Sequence, residues 1–108
     1  MIEVMNNTLP KEANQILFFC ASWCGPCKRL LPMLEEMEEK FPSVTISKIL
    51  VDDNPRLAKM YKITGVPLLI SYRKCYAEAF LPGVPDPEKL EEFFRAHELN
   101  SNSDAIKN

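Results

Sequence analysis

Apolar positions along this chain switch between two periods, and each switch marks an element. Gln15-Ile16-Leu17-Phe18-Phe19-Cys20 is rich in β-branched and aromatic residues, which predicts a central strand over 15–21. Directly after it the apolar residues Cys27, Leu30, Leu34, Met37 and Phe41 recur at helical spacing and predict a long helix over 24–40. Residues 2–5 read as an edge strand and Val44–Val51 as a buried one. Asn54–Tyr61 reads as a short helix, with Asn54 as its cap and Pro55 at its first position. Leu68–Tyr72 and Tyr76–Leu81 pair as a hairpin whose tip lacks the glycine that two-residue turns favour. Asp86-Pro87-Glu88 opens a last helix with a cap, a first-turn proline and an acid near its positive end. Leu90, Phe93, Phe94 and His97 trace that helix's inner face, and the polar residues from Ser101 onward read as frayed.

Composition narrows the class. At 108 residues and 12.4 kDa the chain is expected to form a single domain over 1–100 with a polar tail over 101–108. A core of that size needs no disulfide staple, which leaves the cysteines free for chemistry. Net charge −2 and a pI near 5.4 carry no general basic footprint for nucleic acid. Met1-Ile2-Glu3-Val4 has neither the charged start nor the apolar run of a secretory signal, and no segment is apolar over membrane-spanning length. A cytoplasmic monomer without a membrane or nucleic-acid partner is the expectation. The acidic run Glu35, Glu36, Glu38 and Glu39 reads as a solvated helix face, with a partner surface as the other reading.

The chemistry sits where the first strand meets the long helix, in Trp23-Cys24-Gly25-Pro26-Cys27-Lys28. A Cys-x-x-Cys that opens a helix after a strand reads as a thiol–disulfide exchange site. The thiolate is the nucleophile, so the site must stabilise an anion near neutral pH. Cys24 at the N-cap or first turn meets unpaired backbone N–H groups and the positive end of the macrodipole, together worth up to roughly 2 kcal/mol. Two intervening residues bring Cys27 round one turn, within reach of a disulfide. Pro26 falls in the first turn, where its missing N–H costs nothing and its fixed φ stiffens the motif. Cys24 is thus the expected attacker and Cys27 the resolving thiol. A structural cysteine pair or half a zinc site is the competing reading. Zinc wants four ligands, and the chain offers only His97 with Cys20 and Cys75 outside the required spacing, so no metal is expected.

With those residues, the chain resembles the thioredoxin family over about residues 15–98. Pro32 inside the long helix, Lys48-Ile49-Leu50-Val51-Asp52 leading to Asn54-Pro55, Ile63-Thr64-Gly65-Val66-Pro67 and Gly83 match the family's pattern in order and spacing. The resemblance implies a thioredoxin fold, an α/β architecture with a central mixed β-sheet flanked by helices on both faces. The first helix would be shortened to about a turn near Thr8–Ala13. It implies a cis bond before Pro67, with the Val66 main chain pairing to an extended substrate segment, and Trp23 as an apolar contact beside the attacker. It also implies disulfide-containing protein substrates, no bound cofactor, and an external electron donor acting through a thioredoxin reductase.

Two departures bear on chemistry. Family members often bury an aspartate where this chain has Phe18, and a tryptophan where it has Cys20. Lys48 shares strand parity with Ile46 and Leu50, and reads either as a lysine reaching the solvated strand end or as a cation near the Phe18 position. In the second reading Lys48 lacks its anion, lowers neighbouring thiol pKa values and raises the reduction potential. Cys20 reads as an inert buried thiol, with a third redox thiol as the alternative; Cys75 reads as an exposed inert thiol, with modification as the alternative. The function expected is a protein-disulfide reductase cycling Cys24 and Cys27 between dithiol and disulfide, with Gly25-Pro26 typical of reducing members. A disulfide oxidase or isomerase and a non-redox binding subunit stand as alternatives.

Overall fold

The computed structural model describes residues 1–11, 14–73 and 76–107, with side chains as far as Leu99. Its elements run β1 (Ile2–Glu3), β2 (Asn14–Cys20), α1 (Gly25–Lys40), β3 (Thr45–Leu50), α2 (Pro55–Met60), β4 (Leu68–Arg73), β5 (Tyr76–Pro82) and α3 (Pro87–Lys107). The strands form one sheet in the order β1-β3-β2-β4-β5. β1 and β2 lie parallel to β3, whereas β2/β4 and β4/β5 are antiparallel.

β2 is central, and both its faces are covered, which is why its sequence reads as an unbroken apolar run rather than an alternation. Ile16, Phe18 and Cys20 face one core with Leu30, Leu34 and Met37 of α1 and Leu90 and Phe94 of α3. Leu17 and Phe19 face a second core with Ile49, Ile70 and Leu57 of α2. Helices therefore cover both faces of a mixed sheet, the architecture that the resemblance implies.

Most predicted elements are present within a residue or two, and the differences have physical causes. β1 is shorter than the predicted strand, although Val4 N–H still donates to Lys48 O at 2.9 Å. Residues 8–11 contain no helical turn; the chain instead reverses at Met5–Thr8, with Asn6 and Asn7 at φ 54° and 55°, and Glu12 and Ala13 lie outside the described residues. Asn54 stands at the N-cap position of α2 but its side chain does not cap. It is fully buried and donates to Val4 O and Leu50 O at 3.1 and 3.0 Å, while Asn7 Oδ1 accepts from the Arg56 and Leu57 N–H groups at 2.9 and 3.2 Å. Asp86 caps α3 as expected, accepting from Lys89 N–H at 2.9 Å. The backbone of α3 continues to Lys107, through residues read as frayed, because no glycine or proline interrupts it. The hairpin tip, and Cys75 with it, lies outside the described residues.

Candidate active site

β2 delivers the chain to the N-terminus of α1, and the two cysteines sit at that junction. Cys24 is the N-cap residue, with φ −88° and ψ 108°, and its sulfur accepts the Cys27 N–H at 3.2 Å. One of the orphan donors of the first turn is thus aimed at the Cys24 sulfur. Gly25 opens the helix and Pro26 falls within its first two positions, so the ring displaces no intrahelical bond. Cys24 and Cys27 form a disulfide, with Cα atoms 5.3 Å apart. Both are nearly enclosed, at 3% and 5% exposure.

Around this pair the sequence-predicted residues divide. Trp23 is 74% exposed and so lies outside the core. It lines a groove of about 190 Å3 with Val51, Ala58, Ile63, Thr64, Gly65 and Val66. The Val66–Pro67 bond is cis. Pro67 is buried and its carbonyl accepts from Gly83 N–H at 3.0 Å, which ties the loop to the end of β5. Among the described residues no backbone hydrogen bond engages Val66. Trp23 and the Val66 loop thus form two walls of one groove, although they lie far apart in sequence.

On another side lies a cavity of about 260 Å3 lined by Phe18, Cys20, Ala21, Ser22, Cys27, Lys28, Leu31, Lys48 and Leu50. Phe18 and Lys48 are neighbours in register across β2 and β3. The expectation of a Lys48 cation without an anion is not met: its ammonium lies 3.7 Å from Glu3 Oε1 on β1. The sequence hides this pair, because only the strand order makes β1 the neighbour of β3. Burial pushes the Cys20 thiol up to about 11, against a smaller downward pull from Lys48; Asp52 and Glu3 add to the rise. Cys20 is unpaired and buried, as an inert thiol should be.

Sequence reasoning missed a hydrogen bond at the loop before the motif. Ser22 Oγ donates to Asp52 Oδ2 at 2.8 Å, and this bond first, then backbone donors, hold the Asp52 carboxyl below its usual range. With Val51 N–H donating to Cys20 O at 2.8 Å, it fixes the segment that leads into Trp23 against the end of β3. Among the described residues no group of three or more His, Cys, Asp or Glu could hold a metal ion, and no helix is long and apolar enough to cross a membrane.

Comparison with known proteins agrees with this geometry. The family model described as Thioredoxin matches residues 3–96. A thioredoxin of Chlamydia pneumoniae is 38% identical over 79 residues, covering 73% of this chain and 78% of that protein. A thioredoxin of Staphylococcus aureus is 34% identical over 84 residues, covering 77% and 81%. Among solved structures, a mutant thioredoxin of Halobacterium salinarum superposes with a TM-score of 0.79 at 28% identity, covering 89% of this chain and 88% of that one. The oxidised mitochondrial thioredoxin 3 of Saccharomyces cerevisiae gives 0.73 at 28% identity, covering 80% of each chain. The strand-to-helix disulfide and these relatives point one way: the chain belongs to the thioredoxin family and is a disulfide-reducing thiol–disulfide oxidoreductase.

Proposed function

We propose that Cys24 is the attacking thiol and Cys27 the resolving thiol of this reductase. The observation that carries the assignment is the Cys24 sulfur at the N-cap of a 16-residue helix, accepting a first-turn N–H. An anion there is favoured by the helix N-terminus, whereas Cys27 sits one turn inside. In the reduced protein the Cys24 thiolate attacks one sulfur of a target disulfide. A Cys24–target bond forms, and the other target sulfur leaves as a thiolate and takes a proton. Cys27 then loses its proton and attacks Cys24 Sγ; the Cys24–Cys27 bond re-forms and the second target sulfur leaves. Two electrons have passed to the target, now a dithiol.

Val66 main-chain groups, with cis-Pro67 behind them, would pair with the extended target segment, and Trp23 would cover it. Such pairing tolerates many sequences, which suits a reductase of varied protein disulfides. The cycle needs no bound cofactor and draws its electrons from outside, through a thioredoxin reductase by family analogy. Residues 1–100 are proposed to act as one cytoplasmic, monomeric domain with 101–108 as a tail. An oxidase or isomerase role was motivated by Phe18 in place of an aspartate and by a Lys48 lacking its anion; the Glu3 pair weakens the second motive and leaves the first. Replacement of the cysteines tests the mechanism: Cys27→Ser should accumulate covalent adducts with disulfide proteins and Cys24→Ser should not. Adducts on Cys24→Ser alone would reverse the two roles.

A further inference from the structure

The walls of the cavity of about 260 Å3 include Cys27 and leave out Cys24. Whatever charge borders it acts first on the resolving thiol. Three of its walls are the apolar side chains of Phe18, Leu31 and Leu50, which screen charge poorly compared with water. Two lysines line it, Lys28 from α1 and Lys48 from β3. Their surroundings differ. Lys48 is 25% exposed at its side chain and pairs with Glu3, itself 66% exposed, at 3.7 Å.

That pairing follows from the sheet. Glu3, Lys48 and Phe18 stand in register across β1, β3 and β2, so the three share one face, the face covered by α1. The carboxylate therefore meets the ammonium on the edge side of the row, and Phe18 seals the other side. The remaining charged or titratable groups around this cavity are Lys28, the Cys20 thiol and Asp52, whose carboxylate accepts from Ser22. Among the described residues Glu3 is the acid paired with Lys48.

We infer that Glu3 is a positioning residue for the resolving step, restraining the Lys48 ammonium and thereby setting how strongly it favours the Cys27 thiolate. This rests on the assignment of Cys27 as the resolving thiol. In that step Cys27 gives its proton to solvent, its sulfur bonds Cys24 Sγ, and the Cys24–target bond breaks with the target leaving as a thiolate that is then protonated. The lone ammonium would favour the Cys27 thiolate; a carboxylate beside it cancels part of the field. Glu3 thus moderates the reductase, and the edge strand gains a chemical role.

The test uses the full chain, reduced, mixed with dithiodipyridine, a neutral disulfide that releases one absorbing thiopyridone on attack by Cys24 and a second on resolution by Cys27, with release by the other two thiols, Cys20 and Cys75, subtracted by means of the Cys24→Ser, Cys27→Ser double variant. Glu3→Gln should speed the second release about threefold at pH 7 and move its pH profile downward, and Lys48→Met should slow it about threefold. In the Lys48→Met background Glu3→Gln should have a clearly smaller effect, a dependence that a merely structural role for Glu3 would not produce. A second release unaffected by Glu3→Gln, or affected equally with and without Lys48, overturns the inference alone. A wild-type protein that gives the first release and no second overturns the Cys27 assignment and the inference together.

Discussion

Within a few residues of one another three thiols meet very different fates, and backbone position decides which. Cys24 caps α1 and Cys27 lies one turn inside it, so their pairing is local covalent geometry that the Cys-x-x-Cys spacing already encodes. Cys20 ends β2 with its side chain in the α1 core. Burial pushes its thiol up to about 11, so at pH 7 only about one molecule in ten thousand carries a thiolate there. Iodoacetamide at pH 7 should therefore label Cys24 of the reduced native protein and leave Cys20 unlabelled until denaturant is added, as read by peptide mass mapping. Native labelling of Cys20 at the Cys24 rate would make it a third redox thiol. The same scale shows what the sequence conceals. The burial of Cys20 follows from an apolar strand pattern, but the Lys48 counter-ion depends on which strand lies at the sheet edge, and no local pattern announces that.

Helix ends carry the same lesson at the level of elements. Asn54-Pro55 has the local chemistry of a cap and first-turn proline, and the helix does begin there. Local chemistry could not tell that the Asn54 amide would be drawn into the core by Val4 and Leu50 carbonyls, leaving the cap to Asn7. Asn54 Oδ1 in turn accepts from Asn7 N–H at 2.9 Å, so the two asparagines bind the turn before β2 to the start of α2. Asn7 also adopts φ 55°, where asparagine and glycine are favoured. Two contributions can therefore be separated by substitution. Asn7→Gly keeps the turn and loses the cap, and should cost about 1 kcal/mol. Asn7→Ala loses both and should cost about 1 kcal/mol more. Asn54→Ala takes the amide partner from Val4 O and from Asn7 N–H, while Leu50 O keeps the Asp53 and Asn54 backbone N–H groups, and should cost about 2 kcal/mol. Urea unfolding midpoints at constant slope would measure all three. Equal losses for Asn7→Gly and Asn7→Ala would show that the positive φ contributes nothing.

Across the whole molecule, a buried polar cluster joins α3 to the sheet beside its apolar contacts. Ser71 Oγ lies 2.7 Å from His97 Nδ1, Arg73 Nη2 donates to His97 O at 3.1 Å, and Arg73 Nε pairs with Glu78 Oε2 at 2.7 Å. β4, β5 and α3 are joined at one point by these contacts, and the helical spacing that put His97 on the inner face of α3 gave no sign of Arg73. Burial first, and then the Arg73 charge, lower the His97 pKa from its ordinary 6.5, against upward pulls from Glu78 and Glu98. The consequence for stability has a definite sign. Above about pH 6.5 His97 is neutral in both folded and unfolded chains and costs nothing. Below it the unfolded chain takes up a proton that the folded protein resists, so stability falls as the pH drops. One pH unit below the ordinary value the loss is at most about 1.4 kcal/mol. Among the described residues the other two groups with lowered values, Asp52 and Glu91, are exposed carboxylates whose contributions are lost only near and below their ordinary values of 3.8 and 4.5. Between pH 6.5 and 5.5 the slope therefore belongs to His97 among the described residues. His97→Gln, which keeps a partner for Ser71 and cannot titrate, should flatten the difference in urea stability between pH 7.5 and 5.5 while lowering stability at both. An unchanged difference would mean that His97 protonates in the folded protein without cost.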